Sequence, residues 1–269
     1  MVMYKNKFTI FLIILFLLCI FYFSKKLKEK KFVQTLIPKV VYYTFKNKNF
    51  NKEIVDIIEH NKKICPTYEF KFYDNDECEK FIKQNFDSNI YKAYKKINPN
   101  LGAMKADFWR YCILYKNGGI YIDIKNKFTK NLDDIIKPND TCILNTPNTD
   151  GELRENLGIP VYEQWLLIFQ KEHIYLKKMI DNMVKNILNN YEPQTTILNY
   201  EGITKTKQKI LHITGPDAFS LAISTCKKNH RIVPYNTFIH IDTDAKYKLY
   251  NHAKIKHYEN VDESLYVKN

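Results

Sequence analysis

Residues 102–128 read GAMKADFWRYCILYKNGGIYIDIKNKF, and the reading of this stretch decides the fold. Gly102 to Lys116 has the pattern of a helix, and Asn117-Gly118-Gly119 stops it with glycine in the left-handed conformation. Ile120–Ile124 then reads as a short buried strand carrying Asp123 near its carboxyl end. In open α/β sheets, ligands bind in the crevice beyond those ends. Asp107 and Arg110 lie three apart and share a helix face, which alone predicts no more than a surface ion pair. Trp109 and Ile113 fall on a neighbouring face that suits a core. Asp123 weighs more, because a carboxylate at the end of an apolar run is costly to bury unpaired. It needs a cation, a metal or a ligand hydroxyl. Lys125, two residues on, faces the same side of an extended chain, so a solvated Asp–Lys pair and a binding site both fit.

Outward from this segment, helices and strands alternate, which is the signature of an α/β fold. Ile37–Phe45 reads as a first strand, 53–64 as an amphipathic helix, and the alternating EFKFY of 69–73 as a second strand. Asp74 is placed to cap a helix running to Phe86, and Asp87 or Ser88 to cap the next. Beyond the central segment, the pattern predicts one helical turn at 133–136, a strand at 141–145 and an irregular loop over 146–160. It predicts helix over 161–190, in one piece or in two broken near Glu172-His173, a polar loop or hairpin over 191–210, and a helix from Thr214-Gly215-Pro216-Asp217 with the threonine as its cap. Arg231–His240 reads as strand interrupted at Pro234.

Phe8–Phe23 is apolar apart from Thr9 and is flanked by lysines on both sides. Sixteen residues at the helical rise span about 24 Å against a hydrocarbon core of about 30 Å, and snorkelling lysines extend the reach. The run ends in Phe-Tyr-Phe-Ser-Lys-Lys, a poor signal-peptidase site, so it reads as one uncleaved transmembrane helix. The organisation expected is a tail over 1–7, a membrane anchor over 8–23, a basic stem over 24–35 and one domain over 36–269. The lysine excess after the anchor favours a cytosolic domain by the positive-inside rule, whereas a lumenal enzyme needs the opposite bias, and the side of the membrane is left open.

The formal charge of +13 comes mainly from lysine, which far outnumbers arginine. There is no arginine-rich run, zinc-finger spacing or glycine-rich loop, so a nucleic-acid partner is not expected. No CxxC pair is present, and Cys112 and Cys142 sit among apolar residues as core thiols.

The central segment resembles the core motif of the family 32 glycosyltransferases, the group of α-1,6-mannosyltransferases and inositol-phosphoceramide mannosyltransferases. The resemblance is carried by Ala106-Asp107, Arg110, Leu114-Tyr115, Gly118-Gly119, Tyr121 and Asp123. Ile37–Val41, with Tyr42 and Phe45 after it, Trp165–Leu176 with Gln164 before it, and Thr214-Gly215-Pro216 fit more weakly. It implies a GT-A-like, Rossmann-like α/β domain that transfers a hexose, mannose or similar, from a nucleotide-sugar donor to a glycan or lipid acceptor with retention of configuration. It further implies donor contacts from Tyr42, Asp107, Arg110, Gly119, Tyr121, Asp123, Lys125 and Gln164, with Asp107, Arg110 and Asp123 at the chemistry and an aromatic near Tyr42 or Tyr43 stacking on the base. Such sites use Mn²⁺ or Mg²⁺ on a DxD motif, and here Lys125 replaces the second aspartate. A charged lysine cannot ligate a metal. Three outcomes stay open: a metal held by Asp123 with His257, a lysine that takes over part of the metal's role, or a site that binds without transferring. The wider alternatives are a catalytically inactive nucleotide-sugar or glycan binder, and a basic protein that binds nucleic acid or anionic membranes.

Overall fold

Local chemistry sets the elements of the sheet's first half. A computed structural model describes residues 16–19, 35–146, 152–154, 158–193, 204–241, 248, 251–252 and 263–267. The strand β1 (Val40–Thr44) runs parallel to β2 (Glu69–Tyr73), with helix α1 (Lys52–Ile64) between them. Asn51 caps α1 by accepting from the Ile54 amide. Asp74 and Glu77 form a capping box on α2 (Asn75–Asn85), and Asp87 caps α3 (Ser88–Lys96). Helix α4 (Gly102–Asn117) leads through the glycine pair into β3 (Gly119–Ile122), which is parallel to β1 on the side away from β2. The next elements are β4 (Asn126–Phe128), the one-turn α5 (Leu132–Ile135), β5 (Cys142–Thr146), β6 (Glu152–Arg154), β7 (Ile159–Val161) and β8 (Leu166–Phe169). Helices α6 (Ile174–Leu188), α7 (Lys205–Ile213) and α8 (Pro216–Ser224) precede β9 (Arg231–Pro234) and β10 (Ile239–Ile241).

The result is a mixed α/β fold around a six-stranded sheet of order β2-β1-β3-β8-β5-β9, in which β8 is antiparallel to both β3 and β5. Side chains alternate across it. Val41, Tyr43, Ile120, Ile122, Leu166 and Ile168 enter the layer shared with α1 and Phe128. Tyr42, Tyr121, Leu167 and Phe169 enter the layer shared with α4, α6 and α8. The chain leaves β1 toward β2 on one side and returns to β3 on the other, so the sheet's topological switch point lies between β1 and β3.

Three expectations are corrected. Residues 161–190 are not helical throughout, although the break near Glu172-His173 falls where a helix begins. The Leu-Leu-Ile-Phe run is buried on both faces as the antiparallel β8, and α6 begins only after Glu172, at φ +56°, and the capping His173. An apolar run of this length suits a buried strand and a buried helix equally, and tertiary pairing decides. Residues 205–213 form a helix capped by Thr204 instead of lying in a loop. Part of 146–160 pairs as the β6–β7 hairpin. Cys112 and Cys142 are buried thiols as expected.

Residues 35–269 form one unit by internal contacts and residues 1–34 another. Of the 8–23 run, only 16–19 are described, as helix, so the anchor and stem expected there lie almost wholly outside the described residues. Among the described residues, no helix is long and apolar enough to cross a membrane.

Candidate active site

Helix α4 is buried on every side from Asp107 to Leu114, so its two charged residues are core residues and not the surface pair that spacing alone predicts. Asp107 is 4% and Arg110 6% exposed. Such charges are tolerable only when paired and hydrogen-bonded. Arg110 Nη2 lies 3.2 Å from Asp107 Oδ1 and 3.6 Å from Asp123 Oδ1. Its Nη1 donates to the Gln164 carbonyl at 2.9 Å. The guanidinium also covers the Tyr121 ring at 4.4 Å.

Asp107 spends both oxygens inside the protein. Gln164 Nε2 donates to Oδ1 at 3.3 Å, and Thr214 Oγ1 donates to Oδ2 at 2.9 Å. Thr214 therefore does not cap α8. Gly215 takes that position without a side-chain bond. Tyr111 donates its hydroxyl to Gln164 Oε1, fixing the amide from the other side.

Asp123 follows β3 directly, and continuing the β1–β3 register places it beside Thr44, which pairs with Tyr73 at the end of β2. Its amide donates to the Trp165 carbonyl at 2.8 Å. Tyr121 donates its hydroxyl to Oδ1 at 2.9 Å, and Lys125 Nζ reaches Oδ2 at 3.3 Å. The side chains of Asp123 and Lys125 are each about a quarter exposed, the open part of an otherwise closed cluster. Asn61 on α1 holds the following chain, with Nδ2 donating to the Asn126 carbonyl and Oδ1 accepting from the Phe128 amide.

Burial pushes the Asp107 carboxyl up to about 6, although Arg110 and Thr214 pull it down. Burial would raise Asp123 as well, but Lys125 and Arg110 outweigh it and hold that carboxyl below its ordinary value. Burial opposes the charge on Arg110, and Tyr121, Asp107 and Asp123 overcome it, so the guanidinium is held above its ordinary value. Because native Asp107 holds its proton more tightly than the unfolded chain does, it favours the fold most fully below 3.8. That contribution is lost as pH rises to about 6. Asp107→Asn should remove this dependence. In urea unfolding, wild-type stability relative to the variant should fall between about pH 4 and 6, by up to about 1.4 kcal/mol per pH unit, and then level off. Parallel curves would contradict it.

The remaining expected residues divide. Gln164 and Tyr121 join the cluster. Tyr42 and Gly119 lie together at the amino end of β3, with the Tyr42 ring against Gly119 and its hydroxyl paired with Asn117. Tyr43 is buried and accepts from Asn61, so neither tyrosine presents a face to a base. His257 lies outside the described residues. Thr214, Asn61 and Trp165 were not legible as cluster members, since their partners are distant in sequence.

One carboxylate at the carboxyl edge, set at the switch point and backed by a buried arginine, marks the position at which this fold type binds ligand. The family described as "Glycosyltransferase sugar-binding region containing DXD motif" matches residues 47–142, a span that contains Asp107, Arg110, Asp123 and Lys125. That match is the similarity that decides the reading. The chain is 33% identical over 103 residues to an uncharacterized glycosyltransferase of Acanthamoeba polyphaga mimivirus, covering 38% of this chain and 40% of that one. An initiation-specific α-1,6-mannosyltransferase of Candida albicans is 30% identical over 120 residues, 42% of this chain and 30% of its own. Inositol phosphoceramide mannosyltransferase 3 of Schizosaccharomyces pombe is 24% identical over 168 residues, 62% of this chain and 42% of its own. The chain thus spans less than half the length of these curated relatives.

The matched region carries Asp123-Ile124-Lys125 where a DXD motif has two aspartates. Its donor set does not fit a divalent ion as it stands. Both oxygens of Asp123 are engaged by protein donors, the second acid is a cation, and no group of three His, Cys, Asp or Glu able to hold a metal occurs among the described residues.

Proposed function

We propose that this chain is a glycosyltransferase with a GT-A-like domain that moves a hexose, mannose or similar, from a nucleotide sugar to a glycan or lipid acceptor with retention. The observation that carries this reading is the open Asp123–Lys125 pair at the carboxyl edge of β3, backed by Arg110, inside the sugar-binding region. In the reaction, the bond from the sugar's anomeric carbon to the diphosphate breaks, and a bond to an acceptor oxygen forms. The acceptor loses its proton and the nucleoside diphosphate leaves. Asp123 accepts hydrogen bonds from donor hydroxyls. Arg110 fixes that carboxylate and supplies positive charge behind it, while Asp107 and Gln164 act as positioning residues through Arg110. Tyr73, half-buried at the last position of β2, is better placed than Tyr42 to meet a base. The apolar run over 8–23 anchors the enzyme to a membrane.

The 269-residue chain incubated with UDP- and GDP-sugars should release nucleoside diphosphate, and Asp123→Ala should lower that rate ~100-fold or more with the fold intact by circular dichroism. Undiminished release from Asp123→Ala would sink the assignment of the site. Nucleotide binding without turnover would favour the second reading, an inactive sugar-nucleotide binder, which the lysine in the motif also suits.

A further inference from the structure

We infer that the donor site holds the diphosphate through the Lys125 ammonium and does not need a divalent cation to bind it, an inference that rests on the nucleotide-sugar reading above. The charge of the cluster points there. Asp107 and Asp123 are matched by Arg110 and Lys125, so the group is neutral as it stands. An aspartate at 125 would leave it two charges negative, and a divalent cation restores neutrality in that case. Lysine at the same position accomplishes this with a covalently tethered charge.

The geometry agrees with that substitution. Lys125 Nζ lies 3.3 Å from Asp123 Oδ2, the oxygen not used by Tyr121 or Arg110. An ammonium has three donors, and in the described contacts one points at Asp123. The side chain is about a quarter exposed, so part of it is open to a ligand. Asn61 pins the backbone immediately after it through the Asn126 carbonyl and the Phe128 amide. The turn is closed by the Asn126 amide donating to the Asp123 carbonyl at 3.0 Å. The ammonium is therefore presented from a braced turn at the edge where a nucleoside diphosphate would lie. A cation entering beside Asp123 would meet Lys125 and Arg110 as like charges, which disfavours its binding before any ligand arrives.

Calorimetric titration of the 269-residue chain with UDP and with GDP, in excess EDTA and in Mn²⁺, tests this. The dissociation constant of the nucleotide that binds should change by less than about twofold between the two conditions. Lys125→Ala should weaken binding in EDTA ~10-fold or more, and Lys125→Arg should retain it. Lys125→Asp should make binding depend on Mn²⁺. The paramagnetic resonance signal of Mn²⁺ alone should stay that of the free ion with wild type and diminish with Lys125→Asp. Loss of wild-type binding in EDTA overturns the inference and leaves the glycosyltransferase reading standing, and so does Lys125→Ala binding as tightly as wild type. The wild-type comparison needs no folded variant. Failure of both nucleotides to bind under either condition overturns the nucleotide-sugar reading and the inference with it.

Discussion

Arg110→Ala should abolish donor turnover and destabilise the protein by about 3–5 kcal/mol, the range for breaking a buried ion pair from one side. The guanidinium serves two carboxylates, one carbonyl and one aromatic face at once. Removing it leaves Asp107 buried with only neutral donors and takes from Asp123 its buried cation. Arg110→Lys should recover little, because a single ammonium cannot span Asp107, Asp123 and the Gln164 carbonyl together. Urea denaturation and nucleoside-diphosphate release, measured on the same preparations, separate the two effects. A variant as stable as wild type would mean that the cluster does not brace α4 against the 164–165 segment and the Thr214 turn.

The second large effect is expected far from any ligand. Gly119→Ala should cost about 3 kcal/mol or more. Gly119 has φ +106°, and an added Cβ would lie 2.7 Å from the Val40 carbonyl oxygen and 3.1 Å from the Tyr42 ring. The carbonyl belongs to the neighbouring strand and cannot swing aside as a side chain can. The change pushes β1 from β3 at the start of their pairing and displaces the strand whose other end presents Asp123. Gly102→Ala is the control. Nothing lies near its added Cβ, the site is helical, and alanine should stabilise the helix by up to about 1 kcal/mol. If both variants unfold at the same urea concentration, the close approach at Gly119 is relieved at no cost.

Local chemistry was readable where neighbours in sequence decide the outcome. The Asp74 cap, the alternation of 69–73 and the glycine stop at 118–119 depend on residues a few positions apart, and each appears where expected. The same reading failed where a distant partner decides. Residues 166–169 became strand because β3 and β5 flank them. Thr214 looked like a helix cap, but its hydroxyl is drawn to Asp107, 107 positions away. Asp107 and Arg110 looked like a surface pair because nothing local announces that Gln164 and Thr214 will cover them. Tyr42 was placed at the ligand by the resemblance, whereas its ring packs on Gly119 at the opposite end. What the local pattern did convey was that a carboxylate ending GIYI requires a partner, and it has three.

The Thr214 contact has a consequence for what can be cut out of this protein. The family match ends at residue 142, yet the partners that make Asp107 and Arg110 tolerable come from 164 and 214. An excised 47–142 segment would carry every residue of the central motif and still hold two interior charges without the three hydrogen bonds that Gln164 and Thr214 supply. Recognition and foldability therefore have different borders here. On a ribosome, the motif is complete at Lys125, about ninety residues before the Thr214 turn that seals it, and until that turn arrives the nascent chain has the letters of the site without its shape.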